Sequence, residues 1–459
     1  MSPATVAVVG GGITGLAAAR ALVERGGEVV LLEAGPRMGG KIVTETLGDL
    51  VVEGGPDSFL ARDPAARSLC EAVGLGRDLV APASFGAVIW SRGRLRRLPP
   101  GWPHGVPASP WTAWRAGLLF SLGAARAAAD LVFPGPLRGP DVSVGAFIRR
   151  RFGRPTLEQL VDPLLAGTRA GDTGELSLAA ALPTIDSLAR RRRSVILGLR
   201  QARRSGALPA GPPPFLSLRG GLGRLVEHLV DELEGRARLL LGARVTHIEA
   251  APGGFALRLD QGEMVAAEGV VVAVPAYRAS SMLASLSPAA AAGLAAIEHA
   301  SVAVATLLYP PGSFDPPAGT SGMLVPSSEG RTLSACSWFS DKWPHAAPAG
   351  GEVVLRCFVG RSRRHPALSL PDDQLTERIA TELADALELK SSPRSVSVTR
   401  WDKGLPQYAV GHLERLREIE AALVKWPRVQ LAGASYRGSG LPDCIRQGEA
   451  AAGRVLQAS

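Results

Sequence analysis

The sequence predicts an α/β protein whose main parallel sheet is assembled from segments scattered over the whole chain, with other domains inserted between them. Three observations predict this. Residues 5–34 carry a strand, a helix and a second strand: TVAVVG, then Ile13–Arg25 with Leu16, Ala19, Leu22 and Val23 at helical spacing, then EVVLLE. Strand patterns of the same buried type return far along the chain, around Phe255–Leu259 and Met264–Val274, and again in RVQLAG near the C-terminus. Between them, Leu98–Pro214 has a different character, opening with PPGWPHGVPASPW and continuing in helical patterns.

The first unit carries Gly10-x-Gly12-x-x-Gly15, with Glu33 ending the next strand, 18 residues past Gly15. Gly10 permits a tight turn, Gly12 lets the backbone approach a pyrophosphate, and Gly15 packs the helix on the sheet. The helix N-terminus attracts phosphate, and Glu33 accepts hydrogen bonds from ribose hydroxyls. This predicts dinucleotide binding. Gly35-x4-Gly40-Lys41 is a near-miss to a triphosphate loop. It has Ile42 where Ser or Thr should hold Mg²⁺, and it follows a strand and an acid rather than joining strand to helix. Arg37-Met-Gly39-Gly40-Lys41 puts a positive charge and two glycines beside the phosphate site. In Glu53-Gly54-Gly55-Pro56-Asp57-Ser58-Phe59, glycines would let the backbone approach a flat ring system, although an ordinary Gly-Pro turn reads the same way.

Fifteen arginines, no lysine and seven acidic residues fall in 98–214, a net charge of +8 within a chain whose total is +9. RRRFGR (149–154) and RRRR (190–193) dominate it. Trp102, Trp111, Trp114, Leu118, Leu119 and Phe120 share this segment. Basic plus aromatic residues suit an anionic lipid interface rather than a span, with a solvated basic face as the plainer reading. Nucleic acid is not expected as a partner. GALPAGPPP (206–214) reads as a linker. Ala279–Ile297 is uncharged but Ala/Ser-rich and broken by Pro288, a poor spanning helix. The chain closes with a strand, a glycine-rich turn at Gly433–Gly440, and a helix from about Cys444 to Leu456, whose start could hold a flat ring's oxygen or a pyrophosphate.

The four cysteines, Cys70, Cys336, Cys357 and Cys444, lie far apart, and the seven histidines show no metal-ligand spacing. No metal site, disulfide framework or nucleophile elbow is expected. Cys444, without a partner cysteine nearby, is read as structural, as are His104, His345 and His412. The first residues lack a basic, apolar leader, which predicts a cytoplasmic chain.

The Arg37–Lys41 run beyond the ribose acid resembles the FAD-binding amine oxidase group and so favours FAD. Nearly end to end, the chain resembles the flavin-dependent porphyrinogen oxidases, the family of protoporphyrinogen and coproporphyrinogen III oxidases. The motifs are AVVGGGITGL, LLEAGPRMGGKI, VEGGPDSFL, LLAGTRAGDTGELSLAAALP, SVILGL, GARV, KWPHAAP, TRWDKGLPQYAVGHLERL and GASYRGSGLPDCIRQGEAA. The last four, with LPPGWPHGVP, are most similar to the Gram-positive-type enzymes that act on coproporphyrinogen III.

The resemblance implies three parts: a discontinuous Rossmann-type FAD-binding domain (1–85, 215–277, 405–459), an α+β substrate domain (86–97, 278–404) and an inserted α-helical, membrane-contacting domain (98–214). It implies FAD contacts at Gly10, Gly11, Gly12, Ile13, Thr14, Gly15, Glu33, Ala34, Lys41, Gly55, Pro56, Asp57, Ser58, Val245, Trp401, Gly438, Ser439, Gly440 and Leu441. Substrate contacts are implied at Gly167, Ala170, Leu324 and Phe358. Arg169 stands where the family often has an aromatic residue, and is the candidate for pairing a substrate propionate. A propionate-pairing Arg of the animal-type enzymes falls at Pro103, and an aromatic pocket position at Ser321. The implied reaction is six-electron aromatisation of a porphyrinogen, in heme biosynthesis. The flavin takes hydride and passes electrons to O₂ with release of H₂O₂, and no catalytic side chain is named. Protoporphyrinogen IX is the alternative substrate; a non-catalytic tetrapyrrole chaperone is the reading from another class.

Overall fold

The computed structural model describes residues 5–100, 102–132, 135–206, 215–361 and 365–458. Thr5–Val9 forms the middle of a five-stranded parallel sheet, in the order Arg238–Leu240, Glu28–Leu32, Thr5–Val9, Gly269–Val272, Val429–Leu431. Along the chain these are strands three, two, one, four and five. The order therefore reverses beside Thr5–Val9, and the crevice at the carboxyl ends of the strands opens there. Helices Ile13–Glu24, Gly223–Leu233 and Leu441–Gln457 cover one face through Leu16, Leu22, Leu225, Leu229, Ile445 and Val455. The last helix starts three residues before the sequence expectation, because Gly440 caps it and Pro442 fits its first turn.

The other face carries the antiparallel meander Val245–Ala251, Gly254–Leu259, Met264–Ala267 and the helices Ala276–Leu283, Pro288–Ala295 and His412–Ala422. Here the structure corrects a boundary. The resemblance places residues from 278 on in the substrate domain, but Ala279, Leu283, Ala290 and Leu294 share a core with Ala7, Val9, Val270 and Val272. The uncharged stretch is two short helices, the second capped by the Ser287 hydroxyl on the Ala290 N–H, with Pro288 in its first turn.

A second, seven-stranded sheet runs Ser395–Pro406, His299–Tyr309, Val353–Val359, Leu333–Trp338, Thr320–Leu324, Gly86–Ser91, Arg94–Arg97. Only the contact between Thr320–Leu324 and Gly86–Ser91 is parallel. Helix Asp372–Leu387 packs Leu375, Ile379 and Leu383 on one face. The opposite face looks toward the nucleotide domain and the helices of the middle segment.

The helices between Pro110 and Arg204 gather around Phe147, Phe152, Leu165, Ile185 and Leu199. Asp130, 1 % exposed, ties this layer together. It accepts from Arg151 at 2.5 Å, the Ser194 hydroxyl at 2.6 Å and the Ile196 N–H at 2.9 Å. Part of the basic character is thus architectural: Arg151 holds Asp130, and Arg190 pairs with Asp186 one turn earlier. Arg149, Arg150, Arg191 and Arg192 face solvent. The expectation of an aromatic interface divides as well. Trp102, Leu118 and Leu119 are core residues, while Trp111 and Phe120 are 61 % and 70 % exposed. Leu122, Val132 and Leu197, which the sequence did not single out, are exposed too. Among the described residues no helix is long and apolar enough to cross a membrane. The expected linker lies, from residue 207 on, outside the described residues.

Candidate active site

The glycine turn lies in the crevice of the parallel sheet. Gly10 leaves its strand at φ +107°, and a Cβ there would stand 2.8 Å from the Ala273 carbonyl oxygen. A Cβ on Gly15 would fall 1.8 Å from the Gly10 carbonyl oxygen, so only glycine lets the helix lie this close to its own turn. A Cβ at Gly12 meets nothing nearer than the Gly40 Cα at 4.0 Å. The helix starts there with no side-chain cap and no acidic residue in its first turn. Its leading N–H groups lack intrahelical acceptors, the arrangement that receives a phosphate. Ile13 and Thr14 are buried at this start.

Glu33 accepts the Gly11 N–H on one carboxylate oxygen and the Gly35 N–H on the other, each at 2.7 Å. Its own backbone bonds to Ala243, which leads into Val245. Gly39 donates to the Gly11 carbonyl at 2.8 Å, which lays the second glycine run on the first. Lys41 follows it. Burial lowers the pKa of this amine, against a smaller opposing effect of the Cys444 thiol.

A Cβ at Gly55 would stand 1.7 Å from the Lys41 carbonyl oxygen, so the Glu53–Ser58 loop lies directly on the second glycine run. Four residues hold that loop, Arg356 and Trp401 from the second sheet, and Lys342 and Trp343 from the short helix Phe339–Lys342 and its end. Arg356, 1 % exposed, donates to the carbonyls of Glu53, at 2.9 Å, and Gly55. The Trp401 indole N–H donates to the Gly54 carbonyl at 2.8 Å. Asp57 takes Lys342 at 2.8 Å and the Trp343 indole N–H at 3.2 Å, with Arg356 at 3.8 Å. Burial alone would raise the Asp57 pKa, but the two cations override it and hold the carboxyl well below the usual range. Glu53 shows the opposite balance: burial pushes it up to about 7 against hydrogen bonds from Leu222 and Thr44. Beyond this loop lies a cleft of 510 Å³, bounded by Glu53, Asp57, Ser217, Trp343 and His345.

At the other end of the crevice, Gly438 adopts φ +111° and packs on Asp443, and Gly440 caps the last helix without a side-chain hydrogen bond. Ser439 and Leu441 flank that cap. Tyr408 receives the Gly438 N–H on its hydroxyl at 3.0 Å. Burial raises the Cys444 thiol to about 11, which keeps it protonated near neutral pH.

Two of the predicted substrate positions, Phe358 and Leu324, share one register row. Thr399, Val304, Phe358, Ala335 and Leu324 pair side by side across the second sheet. A Cβ at Gly54 would touch the Thr399 hydroxyl at 2.8 Å, and one at Gly167 would touch Leu324 at 2.8 Å. The row therefore runs as an apolar floor from the loop beside Lys41 to the helix Asp162–Arg169. Ala170 ends that helix in the left-handed region, at φ 47°. The Arg169 guanidinium lies 5.7 Å over the Tyr408 ring, and burial lowers its pKa while Tyr408 and Asp443 support its charge. His104 is open to solvent yet enclosed by protein, as a residue lining an interior cleft is. Burial, with Arg169 and Arg62 nearby, brings it to about 4 and keeps it neutral. Ser321 bonds the Gly86 carbonyl at 3.1 Å.

Thus Gly11, Glu33, Gly39, Lys41, Gly55 and, through Gly54, Trp401 are joined by successive contacts, with Gly438–Leu441 at the start of the last helix. Of the predicted substrate residues, Leu324 and Phe358 lie in the register row, Gly167 packs on Leu324, and Arg169 lies over Tyr408. Ala34 is exposed beyond Glu33. Sequence reasoning missed Arg356, Lys342, Thr399 and Tyr408. Arg356 carries a signal that could have found it: a lone charge inside the apolar strand VVLRCFV.

The parallel sheet with its glycine cradle and uncapped helix start defines a dinucleotide-binding crevice facing an apolar floor, and the comparisons with known proteins make it that of an FAD-dependent oxidoreductase. The family model described as flavin containing amine oxidoreductase matches residues 13–456. A coproporphyrinogen III oxidase of Bacillus subtilis (strain 168) is 36 % identical over 98 % of this chain and 97 % of its own. A chloroplastic protoporphyrinogen oxidase of Oryza sativa subsp. japonica is 31 % identical over 95 % of this chain and 85 % of its own. A solved structure from Exiguobacterium sp. 255-15, provisionally named a protoporphyrinogen oxidase, superposes with a TM-score of 0.88. It is 32 % identical, with 100 % of both chains covered. The chain belongs to the flavin-containing amine oxidoreductases and, within them, to the porphyrinogen oxidases.

Proposed function

We propose that this chain oxidises coproporphyrinogen III to coproporphyrin III, with FAD as cofactor and O₂ as the final acceptor, releasing H₂O₂, in heme biosynthesis. The full-length match to the Bacillus coproporphyrinogen III oxidase carries this reading. The cradle supports FAD: the helix start at Gly12 and the turn Gly438–Leu441 for the pyrophosphate and ring, Glu33 for ribose, Lys41 and Gly55 beside the ring. Bound FAD supplies a hydride acceptor. The chain's part is to lay the macrocycle on the Leu324–Ala335–Phe358 floor, hold its rim under Gly167, and exclude water. Aromaticity of the product drives the reaction, so no strong base is required.

Coproporphyrinogen carries four propionates, and Arg169, with Arg62 and His104 nearby, is the group we assign to one of them. The apolar floor and the rice relative favour protoporphyrinogen IX as the second reading. Chromatography of the products, after both porphyrinogens are offered in air, separates the two. Preference for coproporphyrinogen is expected. Arg169→Ala should raise KM for coproporphyrinogen at least about fivefold, the loss of about 1 kcal/mol or more for a part-buried pair, and affect protoporphyrinogen less. Equal turnover, or an equal effect of the variant, favours the second reading.

The domain division follows from the same reading, with its internal boundary moved to the strand His299–Tyr309. The exposed Trp111, Phe120, Leu122 and Leu197, among solvent-facing arginines, support contact of the helical layer with the anionic inner face of a membrane.

A further inference from the structure

One short segment reaches both halves of the site. Gln407 donates through its side-chain amide to the Arg169 carbonyl at 3.0 Å and so holds the end of the substrate-side helix. The next residue, Tyr408, is 3 % exposed. Its hydroxyl donates to the Ala434 carbonyl at 2.6 Å and accepts the Gly438 N–H at 3.0 Å, which bridges the two ends of the turn 434–438. Its ring stacks on His412 at 4.2 Å, with 16° between the planes, and carries the Arg169 guanidinium at 5.7 Å. His412 bonds the Tyr436 carbonyl at 2.9 Å inside the same turn. Asp443, in the first turn of the last helix, adds an attraction to Arg169. A phenol is the side chain that does all of this at once. It has one polar atom with donor and acceptor capacity for the turn, and a flat face for a cation and an imidazole.

We propose that Tyr408 is a positioning residue that couples the two sites: its hydroxyl fixes the turn 434–438 and the helix start beyond it, and its ring fixes Arg169. This rests on the assignment of Gly438–Leu441 to FAD. An anion that draws Arg169 away from the ring, or presses it down, changes the same side chain that shapes the cofactor turn. Binding of a carboxylate-bearing tetrapyrrole and binding of FAD are then linked, each altering the affinity of the other by the same factor.

The test is FAD titration of the apoprotein, followed by flavin fluorescence, with and without coproporphyrin III as a stable probe. Wild type should change its FAD affinity at least about threefold when the probe is present, a coupling toward the lower end of the usual range. Tyr408→Phe keeps the ring and removes the hydroxyl, leaving the Gly438 N–H and the Ala434 carbonyl without a partner. It should weaken FAD about tenfold and abolish the effect of the probe, while KM for porphyrinogen changes by no more than the wild-type coupling factor. Tyr408→Leu should raise that KM as well. Gly438→Ala is the control on the underlying assignment. If it loses FAD while Tyr408→Phe binds FAD and responds to the probe as wild type does, the coupling is overturned and the FAD assignment stands. If Gly438→Ala also binds as wild type, the turn is not a cofactor site and both fail. Should apo Tyr408→Phe not fold, FAD release from the holoprotein on dilution gives the same comparison; an unchanged rate overturns the proposal.

Discussion

Glu33 meets two backbone N–H groups with its two oxygens, so it shapes the cradle; the proposed function also gives it the ribose. Glu33→Ala should weaken FAD by about 1.5–3 kcal/mol, the usual range for a hydrogen bond to a charged group; titration of the apoprotein measures it, and unchanged affinity would sink the ribose assignment. Glu53 makes a prediction with a definite sign. Its folded pKa, about 7, lies above that of the unfolded chain. The unfolded carboxyl therefore loses its proton first as pH rises. The contribution of Glu53 is fully present below the unfolded value near 4.3 and is lost by about pH 7, a change on the order of 3 kcal/mol. His104 and His299, whose pKa values desolvation lowers to about 4, titrate over part of the same window in the opposite sense. The readout is therefore the difference between wild type and Glu53→Gln. The Tm of wild type should fall relative to that of the variant between pH 5 and about 7, and parallel curves would contradict the assignment.

Among elements, the crossing of the first and last helices positions both helix starts at the crevice. A Cβ at Gly448 would fall 2.3 Å from the Thr14 carbonyl oxygen, so the helices touch backbone to backbone. Gly448→Ala must push them apart. Overpacking of this kind costs about 1–3 kcal/mol, and denaturant unfolding should show it together with weaker FAD binding. A loss of stability with FAD affinity intact would mean that the crossing does not set the cradle. The helix carrying Gly167 and Arg169 follows a π-helical turn at Leu157–Val161, which shifts the face presented after it. Composition gave no sign of that turn, because π geometry answers to packing rather than to residue preference.

At the scale of the whole molecule, the helical layer presents exposed apolar and basic side chains together. The Trp111 and Trp114 rings stack 4.3 Å apart near the exposed Phe120, which Arg92 covers at 4.2 Å. Vesicles with anionic lipid should sediment the protein, and added salt should weaken this, since exposed charges are screened beyond roughly 10 Å at 0.1 M. Phe120→Ser with Leu122→Ser should reduce binding without changing unfolding, both side chains being outside the core. Equal binding to neutral and anionic vesicles, or to neither, would contradict the membrane assignment.

The local chemistry was legible in the sequence. Gly10, Gly12, Gly15 and Glu33 declare a nucleotide turn because each answers a constraint within one βαβ unit, and the buried strands announce themselves as apolar runs. The scattering of those strands also foretold a discontinuous domain. What only the tertiary structure decided is how remote segments meet. Arg356 clamping the Glu53–Gly55 loop, the register that lines Thr399, Phe358 and Leu324 into one floor, and Tyr408 joining Arg169 to Gly438 are contacts between segments far apart along the chain. Burial likewise separated Leu118 and Leu119, in the core, from Trp111 and Phe120, in solvent, although all four read alike as apolar residues of one segment. Residue type fixes what a side chain can do. Which partner it meets depends on packing between distant elements, and a local pattern carries no record of that.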